Sequence, residues 1–132
     1  MEGGQTNEFR PLILVAEDDD SNFKLIKAII GKKCDIQWAK NGEEIVALFK
    51  EYGKEAKAIL MDIKMPVMNG LDATKIIREE NKEIPIIMQT GYAFSSDKEN
   101  AMNAGASEVL VKPITLSILR GTLTKYFPEL VW

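Results

Sequence analysis

Five short apolar runs, each followed by a longer stretch with helical spacing, constrain the fold of this chain more than any other feature. Leu12-Ile13-Leu14-Val15-Ala16 is the first, and Ile36-Gln37-Trp38-Ala39 is a weaker second. Ala58-Ile59-Leu60-Met61 is the third and ends on Asp62. Ile84 to Met88 is the fourth, with Pro85 tolerated near its start, and Val109-Leu110-Val111 is the fifth. A strand with one wet face alternates polar and apolar residues, whereas an unbroken apolar run is buried on both faces. The runs therefore predict a parallel sheet covered by helices on each side.

The intervening stretches carry helix signals. Asp20 or Ser21 can cap a first helix with Phe23, Ile26, Ile29 and Ile30 inward. Asn41-Gly42 opens a second, with Ile45, Val46, Leu48, Phe49 and Tyr52 on its inner side. A loop from Lys64 to Gly70 precedes a third, marked by Leu71, Ala73, Ile76 and Ile77. Ser96-Asp97-Lys98-Glu99 fits a capping box for a fourth, which Gly105 ends. A last helix starts near Thr115, with Leu116, Leu119, Leu123 and Tyr126 at core spacing. Right-handed crossovers then favour the strand order 2-1-3-4-5, a flavodoxin-like doubly wound (βα)5 α/β fold.

Length and charge narrow the function. The 132 residues suit one domain, with the polar, Gly-containing residues 1–10 expected as a disordered lead and 11–132 as the folded unit. A net charge of −3 gives no electrostatic reason to bind nucleic acid or an anionic membrane. The apolar runs are too short to cross a bilayer, and the N-terminus lacks a signal-peptide pattern. Cys34 stands alone and reads as buried filler, which suits a reducing cytoplasm. The count of histidines is 0, which removes Ser-His-Asp and Cys-His catalysis, His-ligated zinc and phosphohistidine carriers together.

In a doubly wound sheet, function sits at the carboxyl ends of the strands, near the point where strand order reverses. Those ends carry Glu17-Asp18-Asp19-Asp20, Asp62, Thr90 and Lys112-Pro113. Singly, each has an ordinary explanation: a turn, a helix cap, a surface strand end. Together they agree in reach. Neighbouring strands lie about 4.8 Å apart, so acids after the first and third can share one cation, and the Thr90 hydroxyl can serve the same point. The fifth strand lies roughly 10 Å from the third, a gap that a lysine spans. Hard oxygen ligands favour Mg²⁺. An aspartate ordinarily ionises near about 3.9, so Asp62 can attack phosphorus without a general base. Mg²⁺, Lys112 and Thr90 would neutralise the charge on the transferring group.

At this point the sequence resembles the receiver domain of two-component response regulators. The matching stretches are Leu14-Val15-Ala16-Glu17-Asp18-Asp19, Met61 to Gly70, Gln89-Thr90-Gly91, Ala104-Gly105-Ala106 and Val111-Lys112-Pro113-Ile114. The resemblance implies a phosphoacceptor switch rather than an enzyme acting on a small molecule. It makes Asp62 the acceptor, Glu17 and Asp18 the acidic metal pair, and the Lys64 backbone carbonyl a further Mg²⁺ ligand. Thr90 becomes the switch hydroxyl, Lys112 the phosphate-contacting lysine, and the Lys112–Pro113 bond cis. It implies a sensor histidine kinase or phosphotransfer protein as partner, and a downstream effector or attached output domain.

Glu17 in place of the commoner Asp is similar to receivers of hybrid sensor histidine kinases. Gly91 stands where Ala is more usual, and Val109 where many members carry a switch Tyr or Phe. With Val109 there, the activation signal is expected in the loop from Thr90 to Ser96 and at the start of the fourth helix.

Two other functions fit the sequence less well. A flavodoxin-like cofactor module needs a hydroxyl- and Gly-rich phosphate loop after the first strand, where this chain is acidic. A metal-dependent aspartyl-phosphate phosphatase places its nucleophile there in an Asp-x-Asp-x-Thr-like run, which Ala16 to Ser21 does not match. A degenerate receiver acting only as an interaction module is a third reading, against which the intact acceptor, lysine and hydroxyl stand.

Overall fold

The computed structural model describes residues 9–91 and 96–132. Five strands, β1 (Leu12–Ala16), β2 (Asp35–Ala39), β3 (Ala56–Asp62), β4 (Ile86–Thr90) and β5 (Glu108–Val111), alternate with five helices. These are α1 (Asp20–Ile30), α2 (Gly42–Tyr52), α3 (Gly70–Glu80), α4 (Asp97–Ala104) and α5 (Leu116–Tyr126). All strand pairs are parallel, in the order β2-β1-β3-β4-β5, which is the topology the sequence predicts.

The apolar runs fall where burial on both faces requires them. Along β1, Ile13 and Val15 join a core with Phe23, Ile26 and Leu119 beneath α1 and α5. Leu14 and Ala16 face the other way, into a core with Ile45, Phe49, Ile77 and Met88 beneath α2 and α3. β4 is buried at every position, while the edge strand β2 is only half-buried, in keeping with its weaker sequence signal. Most of these helices span 11 residues, too short to persist alone in water, so the apolar face against the sheet stabilises them. Cys34 is buried as filler, and burial pushes its thiol up to about 11.

Several local expectations give way to the structure. The cap of α1 is Asp19, which accepts the Asn22 N–H at 3.0 Å, rather than Asp20 or Ser21. β4 begins at Ile86, not Ile84: the Ile84 N–H turns back to Asn81 Oδ1, and Pro85 has no N–H to give the ladder. Ser96 precedes α4 but makes no capping bond through its side chain. Residues 9 and 10 belong to the folded body instead of a lead, because Phe9 packs on Phe127 and Arg10 donates to the Lys32 carbonyl at 2.6 Å.

Candidate functional site

Strand register brings the chemistry together. Ala16 pairs with Met61, and Asp62 pairs with Gln89, so Glu17, Asp62 and Thr90 end neighbouring strands at one edge of the sheet. Asp62 is the last residue of β3 and is almost fully buried. The chain then turns through Ile63 to Asn69, and the Gly70 N–H closes the loop on the Ile63 carbonyl at 2.8 Å. A side chain at Gly70 would collide with the Asp62 carbonyl, so the loop beside the acid requires glycine at this point. Within the loop, the Met68 N–H donates to the Pro66 carbonyl at 2.7 Å, and Val67 between them sits at φ 69°. Left-handed backbone is strained for a β-branched residue, and Val67 is exposed there on the rim.

Lys112 follows β5 and reaches back across β4. Its Nζ lies 2.9 Å from Asp62 Oδ2 and 3.7 Å from Glu17 Oε1. Burial works against the ammonium, but the hydrogen bond and charge of Asp62, with Glu17 and Asp18, outweigh it and hold its pKa above the usual lysine value. The Lys112–Pro113 peptide is cis, as the resemblance implies.

Glu17 is fully buried. Its Oε2 accepts the Asp19 N–H at 3.1 Å, while Oε1 has no hydrogen-bond partner. Burial first, and then the charge of Asp62, push its pKa up to about 7. A buried carboxylate oxygen left unsatisfied beside a second carboxylate is a poor arrangement for a protein alone and a good one for a cation. Glu17, exposed Asp18 and Asp62 each place a carboxylate oxygen within 4.8 Å of the others. The donors are all hard oxygens, so the set fits Mg²⁺. Exposed Lys64 lines the same cleft of about 400 Å³.

Thr90 ends β4, buried, and its hydroxyl donates to Asp97 Oδ2 at 3.0 Å. Asp97 is a partner that sequence reading placed in a capping box. Trp38 is a second residue it passed over, since its indole donates to the Glu17 carbonyl at 2.8 Å. Val109 is half-buried on β5 and packs with the α2–α3 core. Residues 92–95, where much of the activation signal is expected, lie outside the described residues.

A parallel sheet whose switch-point edge gathers three acids, one of them the strand-end Asp62, with a threonine and a lysine has the make-up of a signalling receiver in the α/β class. Residues 13–124 match the response regulator receiver domain family, and the chain belongs to it. The chain is 40% identical over 129 residues to hybrid signal transduction histidine kinase I of Dictyostelium discoideum, covering 89% of this chain and 7% of that protein. It therefore spans only a small part of that relative's length. Its fold is similar to the receiver domain of sensor histidine kinase PA1611 from Pseudomonas aeruginosa, solved with magnesium in its active-site cleft. The TM-score is 0.82 at 30% identity, covering 89% of this chain and 98% of that one. It is also similar to a co-crystal of the Saccharomyces cerevisiae phosphotransfer protein Ypd1 with the receiver domain of Ssk1, at TM-score 0.83 and 28% identity, covering 92% and 93%.

Proposed function

We propose that Asp62 accepts a phosphoryl group from a phosphohistidine on a partner protein and that the chain switches conformation in response. The observation that carries this is the Asp62 carboxylate held 2.9 Å from Lys112 Nζ inside a cluster of three acids, in a chain with 0 histidines. Glu17, Asp18, Asp62 and the Lys64 carbonyl are the Mg²⁺ ligands in this reading. Bound Mg²⁺ supplies positive charge that offsets repulsion between the acids and the incoming phosphate.

The protein's own groups do the rest. An Asp62 oxygen forms a bond to phosphorus as the donor's P–N bond breaks, and the leaving imidazole recovers a proton from solvent. Lys112, already paired with Asp62, is at hand to take the charge that develops on the transferring group. The Thr90 hydroxyl exchanges Asp97 for a phosphoryl oxygen, and that exchange is the switch. Later attack of water on phosphorus returns the carboxylate and releases phosphate. The phosphodonor is a sensor histidine kinase or a phosphotransfer protein, in line with the Ypd1 complex of the Ssk1 receiver. Similarity to a hybrid kinase supports an origin within such a chain, acting in the cytoplasm on an attached output domain or an effector.

The test is intact mass after incubation with Mg²⁺ and a small acyl phosphate. One phosphoryl group is expected on the parent protein, and none on Asp62→Asn or in excess chelator. Equal labelling of Asp62→Asn would sink the assignment of the acceptor, and undiminished labelling in chelator that of the metal.

A further inference from the structure

Where β2 leaves the sheet, the ladder beside β1 loses its backbone donors. The Glu17 N–H still reaches the Ala39 carbonyl at 2.9 Å. The amide that would come next in a parallel ladder belongs to Asn41, which instead caps α2. The Glu17 carbonyl is taken by a side chain, the Trp38 indole, with Nε1 2.8 Å away. The same ring lies flat on Phe23 of α1, with centroids 3.9 Å apart and planes at 1°. Lys40 Nζ stands 4.8 Å from the ring centroid and 3.4 Å from Asp20 Oδ1.

One residue of the edge strand thus fixes the backbone that carries the buried acid and, through Phe23, the helix that follows it. The Glu17 carboxylate in turn accepts the Asp19 N–H, which ties the acidic turn to that point. Stacking on Phe23 alone would be served as well by phenylalanine; what indole adds is the N–H.

We propose that Trp38 is a positioning residue for the cation site, its indole bond to the Glu17 carbonyl setting how the Glu17 and Asp18 carboxylates stand relative to Asp62. This inference rests on the reading that the acid cluster holds Mg²⁺. Groups that orient metal ligands from behind affect affinity at a distance from the ion, by about 10–100-fold when removed.

Trp38→Phe keeps a ring against Phe23 and deletes the donor. Titration calorimetry should show Mg²⁺ affinity falling by about tenfold, with a cooperative melt retained in chelator. A Trp38 that only fills space leaves the affinity unchanged, and that result overturns the proposal. The parent protein offers a second reading that needs no variant. Its other tryptophan, Trp132, bonds Thr124 Oγ1 at 3.0 Å on α5 and serves as the internal control. During a Mg²⁺ titration the Trp38 indole N–H resonance should move with the binding midpoint while that of Trp132 stays still. A Trp38 resonance that does not move overturns the proposal even if Trp38→Phe fails to fold. A parent protein that binds no Mg²⁺ overturns the metal reading itself, and this inference with it.

Discussion

α1 and α4 each begin just after a strand has delivered a site residue, yet they are held to the sheet by different means. α1 buries Phe23, Ile26, Ile29 and Ile30 over 11 residues, whereas α4 buries only Ala101 and Ala104 over 8. A large aliphatic or aromatic side chain contributes about 1.5–3 kcal/mol on burial, far more than a methyl group. Glu17 and Asp18 therefore sit against a deeply buried helix, with the Glu17 carbonyl held by the Trp38 indole. The hydroxyl sits beside a helix held by small contacts and by polar ones such as Thr90–Asp97. The proposed switch would draw on both: one side that keeps its geometry while charge arrives, and another that has little to lose by moving.

The sharpest attempt to break this contrast compares one residue from each helix. Ile26→Ala should lower unfolding free energy by about 2–5 kcal/mol, against roughly 1 kcal/mol for Ala101→Gly, measured by urea denaturation. Comparable losses would mean that α4 is anchored as firmly as α1.

On the acid side, Glu17→Gln should stabilise the metal-free protein by about 1–3 kcal/mol, because a buried carboxylate with an unsatisfied oxygen is replaced by a neutral amide. The sign follows from the raised pKa. Between the unfolded value near 4.5 and the folded value of about 7, the folded state holds more protons than the unfolded one. Parent stability therefore falls as pH rises through that window, and the advantage of Glu17→Gln grows to its full size above it. Melts in chelator at pH 4.5 and pH 8 would read this, and an advantage that shrinks with rising pH would contradict it.

On the hydroxyl side, Asp97→Ala should remove one competitor of a phosphoryl-like ligand for the Thr90 hydroxyl. Beryllofluoride should then bind a few-fold more tightly, the scale of one hydrogen bond of about 1 kcal/mol. Weaker binding would show that Asp97 supports the activated state instead of opposing it. Val109→Tyr should have the smallest effect of the four, altering the beryllofluoride-induced amide shifts around β5 without displacing the main changes at Thr90 and the start of α4. A dominant response at residue 109 would shift the moving side of the molecule to β5.

The sequence was most legible where burial alone decides. Unbroken runs such as Leu12 to Ala16 and Ala58 to Met61 admit little except buried parallel strands, and their ends locate Glu17, Asp62 and Lys112. It was least legible where one side chain must choose between near and distant partners. Asp97 stands in a local capping pattern, but its carboxylate meets Thr90 seven residues back, a contact that exists only once β4 and α4 are placed. Trp38 looks like the bulk of a weak strand. The available signal was its N–H, which needs a partner when half-buried, directly after the polar break at Gln37 in the run. At the N-terminus, glycines and polar residues masked Phe9, whose ring was the hint that the folded body starts early.

The contact between Phe9 and Phe127 has a mechanical side. Their ring centroids lie 6.0 Å apart, Leu130 is buried in the same core, and Trp132 returns to α5. Phe9 and the residues that follow α5 thus meet in one aromatic corner. A body threaded in this way can be spliced into a longer chain like a bead tied on by a single knot, without forcing the flanking segments apart. Strain applied at that corner would fall on an aromatic contact to which the strands carrying Asp62 and Thr90 contribute no residue.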